Sequence, residues 1–211
     1  MTAPTPSVLL DLDGTLVDSV FLHVVTWHHA LKDAGRGVPM WRIHEGIGMG
    51  GERLVPWLLG EHVDEADDLT DAHRKLFLER AEDLVPTPGA HALLADLRLR
   101  EVPFIVATSA GGEIAEALLG ALGNPEVDVF NADNVGSPKP APDLLAAAME
   151  KLGTAGDDVT LVGDSPWDAE AAQRLGVRML AVRCGGFGDD RLLDAGAAAV
   201  VDDPRALVGR L

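Results

Sequence analysis

Beyond residue 88 the sequence alternates between helix-like and strand-like segments, and this alternation limits the possible folds more than any other feature. The apolar runs at 102–108, 158–164 and 177–182 predict buried strands, with helical periodicity between them. Repeated strand–helix units predict a parallel sheet covered by helices on both faces. The run VLLDL at 8–12 predicts another buried strand of the same sheet.

A long stretch of helical pattern separates the first predicted strand from the rest. We expect residues 1–15 and 87–211 to form a discontinuous, Rossmann-like α/β core, and residues 16–86 to form an inserted, all-helical cap. Within the insertion, the spacing of leucines predicts a long helix over 66–84. At the other end of the chain, a last helix is predicted over 203–211.

The composition limits the classes of partner that this chain can bind. Its 211 residues include 34 acidic and 17 basic ones, which gives a formal net charge of −17. Nucleic acid and anionic membranes attract basic surfaces, so we expect neither as a partner. The only cysteine, Cys184, cannot form an internal disulfide, and no apolar run is long enough to cross a bilayer. A cytoplasmic protein is therefore expected.

Two acids stand one residue apart at the end of the first predicted strand, in the sequence DLDGT. Alternate residues of a strand point to the same side, so Asp11 and Asp13 would bring like charges together. Such a pair is unfavourable unless a cation or a shared proton relieves the repulsion. The rest of the chain must indicate which of the two applies.

Further polar residues follow other predicted strands, at positions where a parallel sheet would bring them to one edge. In open α/β sheets, ligands bind outside the carboxyl ends of the strands. Each residue has a simpler interpretation when taken alone, such as a helix cap or a loop charge. Their succession along the chain is harder to explain in that way. The residues are Thr108, Ser109, Lys139, Asp164 and Asp168.

This combination of side chains suits phosphoryl transfer. Clustered carboxylates favour Mg²⁺ as the cation, because hard divalent ions prefer oxygen ligands. With the cation bound, Asp11 can attack phosphorus, while Asp13 protonates the leaving alkoxide and later accepts a proton from water. Thr108, Ser109 and Lys139 are then expected to bind phosphate oxygens.

The sequence strongly resembles the haloacid dehalogenase superfamily of aspartate-nucleophile phosphotransferases. The resemblance rests on DLDGT at 11–15, on Thr108, on Lys139 in SPKPAPD and on GDSPWD at 163–168. It implies that the first acid is the nucleophile, that the second is the acid/base, and that the insertion is a small cap. It also implies a magnesium site with four contributors, the last one acting through water: the Asp11 side chain, the Asp13 carbonyl, Asp164 and Asp168.

Within that superfamily the sequence favours a phosphatase for a small phosphorylated metabolite, similar to phosphoglycolate phosphatases. Dehalogenases and the phosphonate-cleaving branch lack the second acid, whereas Asp13 is present here. A sugar-phosphate mutase similar to β-phosphoglucomutase is the alternative, because His23 falls where that enzyme carries a hinge histidine. The mutase's cap arginine, however, has no clear counterpart in EGIGMGGERL. A catalytically idle binding or regulatory protein is the other alternative.

Substrate choice is expected to depend on the insertion. Four of its residues are candidates for contact with the substrate's leaving group, although each could equally serve packing or solubility. They are His23, Arg42, His44 and Gly48.

Overall fold

A parallel sheet forms the centre of the protein. The computed structural model describes residues 6–60, 63–131 and 142–211. The strands of this sheet are β1 (Ser7–Leu10), β4 (Phe104–Thr108), β5 (Val129–Asn131), β6 (Val159–Gly163), β7 (Arg178–Val182) and β8 (Ala199–Val201). They lie in the order β5-β4-β1-β6-β7-β8, and every neighbouring pair is parallel. The predicted Rossmann-like α/β fold is therefore confirmed.

Helices cover both faces of this sheet. They are α1 (Val20–Asp33), α2 (Met40–Gly46), α3 (Gly51–Leu59), α4 (Ala66–Leu78), α5 (Ala90–Leu99), α6 (Gly112–Ala121), α7 (Pro142–Leu152), α8 (Pro166–Arg174) and α9 (Asp189–Asp194). Val8 and Leu10 of β1 pack in one apolar cluster with α5 and α6. Leu9, between them, packs in a second cluster with α7 and α8. β1 is thus buried on both faces, as its unbroken apolar run predicts.

Helices α1 to α4 all lie in the chain between β1 and β4. They share an apolar cluster of their own, in which Trp27 and Leu31 of α1 are almost fully buried. Phe77 of α4 is an exception, because it packs with the sheet residues Val8 and Leu10. None of the helices in the described part of the chain is long and apolar enough to span a membrane.

The chain leaves the sheet and returns to it side by side. β2 (Val17–Asp18) and β3 (Val85–Pro86) form a two-stranded antiparallel sheet. Beside this pair, the Thr87 hydroxyl donates to the Thr15 carbonyl at 2.7 Å, and the Thr87 N–H donates to the Leu16 carbonyl at 3.0 Å. The chain therefore enters and leaves the helical segment at neighbouring points.

The prediction of one helix over 66–84 was wrong at the carboxyl end. α4 stops at Leu78, and a short 3₁₀ turn over Ala81–Asp83 follows. Glu79, Glu82 and the aspartate of that turn would place negative charge at the carboxyl end of a longer helix, where the helix dipole disfavours it.

The structure differs from the sequence prediction at two other helices. The helix predicted over 203–211 is a 3₁₀ turn over Pro204–Leu207, and Gly209 follows with a φ of +72° that ends it. Helix α2, by contrast, was not predicted. It has only seven residues, of which Ile43 is one of the two that are buried, so it carries no helical periodicity to detect.

Gly89 is a backbone position at which we expect a side chain to be harmful. Its φ is +87°, and an added Cβ would overlap the backbone of Arg205. We expect Gly89→Ala to lower the free energy of unfolding by about 2 kcal/mol. Gly120 of α6 is the matched control, because an added Cβ there meets nothing within 4 Å. Gly120→Ala should stabilise the chain by up to about 1 kcal/mol.

Urea unfolding of the two variants measures both effects. A Gly89→Ala protein as stable as the wild type would show that the close approach to Arg205 is not present in solution.

Candidate active site

Three carboxylates meet at the carboxyl edge of the sheet. Asp11 directly follows β1, and its N–H donates to the Val162 carbonyl of the neighbouring β6 at 2.9 Å. Asp164 directly follows β6 and is 3% exposed. One carboxylate oxygen from each of Asp11, Asp164 and Asp168 lies within 4.8 Å of the other two. The pairing of β1 with β6 thus brings together acids that are 153 positions apart in the sequence.

A buried hydroxyl connects two of these acids. Thr15 Oγ1 lies 3.1 Å from Asp11 Oδ2 and 3.1 Å from Asp164 Oδ1. The hydroxyl has one hydrogen, so it can donate to only one carboxylate at a time. The sequence analysis assigned no role to Thr15. Its place in the DLDGT motif was the signal that pointed to it.

Asp168 is held at the start of α8 by a reciprocal cap. Ser165 Oγ accepts from the Asp168 N–H at 3.2 Å, while Asp168 Oδ2 accepts from the Ser165 N–H at 3.1 Å and from its Oγ at 2.7 Å. This is a capping box, which satisfies N–H groups of the first helical turn. Asp168 therefore caps the start of α8 and also belongs to the carboxylate cluster.

Glycines leave the space that Asp164 occupies. A Cβ on Gly14, which has a φ of +71°, would overlap the Asp164 carboxylate. A Cβ on Gly185 would overlap the same carboxylate from the loop after β7. Side chains at either position would push Asp164 away from the cluster.

Burial and mutual repulsion disfavour ionisation of these acids. Burial raises the pKa of Asp11 well above its ordinary value, and the charges of Asp168, Asp164 and Asp13 raise it further. Burial also raises the pKa of Asp164 well above its ordinary value, again with a contribution from Asp168. The pKa of Asp168 is raised, mainly by burial. A divalent cation would relieve this repulsion.

Asp13 has a different environment. Its Oδ1 lies 2.8 Å from His23 Nε2 and accepts from Ser19 Oγ at 2.9 Å, and its Oδ2 accepts from Thr108 Oγ1 at 3.3 Å. Burial alone would raise the pKa of Asp13, but the charge of His23 and these hydrogen bonds outweigh it, so the pKa is lowered. Asp11 and Asp13 are close in sequence, yet their pKa values shift in opposite directions.

The structure describes two of the three residues that are predicted to bind phosphate. Thr108 is buried, donates to Asp13 and accepts from the Ala110 N–H at 3.0 Å. Ser109 is exposed and lines the cavity that contains Asp11. It does not cap α6, as the simpler interpretation required, because that helix begins after Gly111. Lys139 lies outside the described residues.

Two of the substrate candidates from the insertion make other contacts. His44 Nε2 donates to the Gly185 carbonyl at 2.8 Å, and its ring stacks on Phe187 with 4.5 Å between centroids. His44 thereby connects α2 to the loop that borders Asp164. The Arg42 guanidinium lies 5.7 Å from the ring centre of Trp57, and neither residue is among those that line the cavity containing Asp11.

The other two candidates lie near the acids. Gly48 lines the cavity that contains Asp11, and a Cβ there would lie 2.8 Å from Ser165 Oγ. His23 contacts Asp13, as described above. Arg53 lines the same cavity, and its guanidinium makes no hydrogen bond or ion pair with the part of the chain that the structure describes.

The chain is similar to known proteins over most of its length. A family model described as haloacid dehalogenase-like hydrolase matches residues 6–176. A phosphoglycolate phosphatase of Rhodospirillum rubrum is 33% identical over 93% of this chain and 87% of its own length. The crystal structure of a hydrolase from Pseudomonas syringae has a TM-score of 0.91 and 36% identity, covering 95% of each chain. A putative β-phosphoglucomutase from Bacteroides vulgatus has a TM-score of 0.84 at 23% identity over 95% of this chain and 85% of its own, a likeness in fold.

The raised pKa of Asp164 predicts a stability gain from removing its charge. A carboxyl group with a raised folded-state pKa stabilises the protein at low pH and loses that contribution as the pH rises through the folded pKa. We therefore expect Asp164→Asn to raise the melting temperature of metal-free protein at pH 8 by about 3 °C, and by less at pH 5. The Asn carbonyl can still accept from Thr15.

Differential scanning calorimetry in a chelator measures this effect, with Asp33→Asn at an exposed carboxylate as the control. A lower melting temperature for Asp164→Asn at pH 8 would contradict the account of the repulsion.

Proposed function

Since this chain belongs to the haloacid dehalogenase-like hydrolase family, we propose that it hydrolyses a small phosphorylated metabolite with Mg²⁺ and an aspartyl-phosphate intermediate at Asp11. It is a phosphoric monoester hydrolase, as are the phosphoglycolate phosphatases among its relatives. The observation that carries the proposal is the meeting of Asp11, Asp164 and Asp168 at the end of β1 and β6.

The residues present fit a magnesium ion. Asp11, Asp164 and Asp168 offer only oxygen ligands, and burial, followed by the charges of neighbouring carboxylates, raises their pKa values. We expect the Asp11 and Asp164 side chains and the Asp13 carbonyl to hold the ion, with Asp168 supporting it through water. When bound, Mg²⁺ neutralises the acids and the negative charge of the phosphate group.

Asp11 performs the first chemical step. Its carboxylate forms a bond to phosphorus, and the bond from phosphorus to the alkoxide of the leaving group breaks. Asp13 gives its proton to that alkoxide. The incoming phosphate brings negative charge close to Asp13, which favours the protonated form that this step needs.

Asp13 acts as the base in the second step. Water attacks phosphorus, Asp13 accepts the proton of that water, and the bond to Asp11 breaks to release inorganic phosphate. The hydrogen bonds from His23, Ser19 and Thr108 stabilise the ionised form of Asp13 between the first step and the second, and the proton from water then restores the acid for the next turnover. Thr108, Ser109 and Lys139 bind phosphate oxygens.

The helical segment over 16–86 serves as a cap that closes over this site. Two hydrogen bonds support the assignment: His44 donates to the Gly185 carbonyl, and Trp167 Nε1 donates to the Glu45 carbonyl at 3.1 Å. The chain enters and leaves the segment at the β2–β3 pair, about which the segment can move. Closure excludes bulk water while the aspartyl phosphate forms, and opening admits the hydrolytic water.

A small ester that carries a second anionic group is the substrate class that we test first. Arg53 supports it, because this cation lines the cavity that contains Asp11 and has no ion pair with the described residues. The experiment is turnover across a panel of phosphorylated metabolites with Mg²⁺, including 2-phosphoglycolate, sugar phosphates and 4-nitrophenyl phosphate. Conversion of glucose 1-phosphate to an isomer without phosphate release would favour the mutase. No turnover of any panel member would favour an idle protein.

Loss of the nucleophile should abolish turnover while the fold is retained. We expect Asp11→Asn to lower kcat by at least about a thousandfold, because the amide cannot form the phosphoryl bond. Mass spectrometry of acid-quenched wild-type enzyme should detect one added phosphoryl group that is missing from the variant. Asp33→Asn, at an exposed site, is the control for loss of one charge. Activity retained by Asp11→Asn would mean that another group is the nucleophile.

A methyl group beside Asp164 should weaken the magnesium site without replacing any of its ligands. Gly185 has no positive φ, so Gly185→Ala strains no backbone and acts only by displacing the Asp164 carboxylate. We expect the Mg²⁺ concentration for half-maximal activity to rise about tenfold, corresponding to the partial loss of one charged ligand. Gly188→Ala is the control, because a Cβ there meets nothing within 4 Å.

The Mg²⁺ dependence of turnover in the wild type and both variants gives the answer. Equal half-maximal concentrations in all three proteins would remove Asp164 from the metal site.

A further inference from the structure

His73, in the second half of α4, is a buried imidazole for which the proposed mechanism has no role. It is 4% exposed, and its Nε2 lies 3.0 Å from Nδ1 of His23 on α1. The other nitrogen of His23, Nε2, lies 2.8 Å from Asp13 Oδ1. A hydrogen-bonded chain thus extends from α4 through α1 to the loop after β1.

Aromatic packing holds both imidazole rings in place. His73 stacks on Trp27, with 4.2 Å between ring centres and 9° between ring planes. His23 stacks on Phe77, with 4.1 Å between centres and 18° between planes. These contacts cover the faces of the rings and leave their edges for hydrogen bonding. The position of each ring nitrogen is therefore set by the packing of α1 against α4.

The partners of His23 determine where its hydrogen lies. A carboxylate has only acceptor oxygens, so His23 Nε2 must carry the hydrogen that it shares with Asp13. The 3.0 Å contact between His23 Nδ1 and His73 Nε2 needs a hydrogen on one of the two nitrogens, and in the tautomer in which His23 Nδ1 carries none, His73 donates it. Burial lowers the pKa of His73 well below its ordinary value, which favours the neutral ring with one N–H.

We propose that His73 is a positioning residue for Asp13: its hydrogen bond to Nδ1 of His23 keeps the Nε2–H of His23 directed at the Asp13 carboxyl. This inference rests on the proposed function, because it assumes that Asp13 is the acid that protonates the leaving group. Without His73, the His23 ring would lose its partner at Nδ1. Asp13 would then be held in a wider range of orientations relative to the leaving group.

The substitutions His73→Gln and His73→Met form a matched pair. The Gln amide places a nitrogen or oxygen at the same number of bonds from Cβ as Nε2 of histidine, so it can still bond to His23. Met has nearly the same size and shape as Gln but offers His23 no N–H donor. The two variants therefore separate the hydrogen bond from the packing against Trp27.

Two substrates separate positioning of the acid from general damage. An alkyl phosphate such as 2-phosphoglycolate, or the alkyl ester that the metabolite panel selects, has a basic leaving group that needs the proton of Asp13. 4-Nitrophenyl phosphate has a stable leaving group that needs little protonation. We expect His73→Met to lower kcat for the alkyl ester about tenfold, with less than about threefold loss on the aryl ester and little change in KM. His73→Gln should retain most of the activity on both.

Several results would overturn the inference. They are equal losses on the two esters, unchanged kcat in His73→Met, and a His73→Gln variant as impaired on the alkyl ester as His73→Met. One further test uses only the wild-type chain. The ¹⁵N chemical shifts of His23 should show a protonated Nε2. An unprotonated Nε2 would also overturn the inference.

Asp13→Asn, measured with the same two esters, distinguishes failure of this inference from failure of the proposed function. If Asp13→Asn loses activity selectively on the alkyl ester and His73→Met does not, only the role of His73 is wrong. If Asp13→Asn shows no such selectivity, Asp13 is not the acid, and the proposed mechanism and this inference fail together.

Discussion

Repulsion among three closely placed carboxylates is the constraint on which the site depends. The pairing of β1 with β6 forces Asp11 and Asp164 to the same edge, and the cap at Ser165 holds Asp168 beside them. Isolated acids of this kind would move apart or become protonated. Here a sheet that is buried on both faces fixes their backbone positions, and the favourable packing elsewhere offsets the local cost. The fold therefore brings together acids whose mutual repulsion a divalent cation would relieve.

The direction of the backbone places the neighbouring acids Asp11 and Asp13 in different surroundings. Asp11 remains among carboxylates at the edge of the sheet, and its pKa is raised. Asp13, only two residues further, lies against donors from α1 and β4, and its pKa is lowered. Opposite shifts in two adjacent acids suit a pair in which the roles of nucleophile and acid/base are separate. The DLDGT turn thus produces two functional groups from one residue type.

Sequence reasoning reached the parts of this structure that follow from topology. Once β1 and β6 are predicted as parallel strands of one sheet, Asp11 and Asp164 must end at the same edge. Reasoning from sequence did not reach contacts that depend on how helices pack. No spacing rule connects His73 to His23, because their contact requires α1 and α4 to lie side by side. The contact of His44 with Gly185 likewise depends on the position of the unpredicted helix α2.

The two short strands that connect the helical segment to the sheet have a consequence for how this protein can change over evolution. β2 and β3 are hydrogen-bonded neighbours, so the segment between them begins and ends at almost the same place. The six strands of the large sheet all lie outside that segment. Insertions, deletions or whole replacements between β2 and β3 can therefore accumulate without shifting the register of the large sheet. New substrate specificities can then arise while the carboxylate cluster stays unchanged.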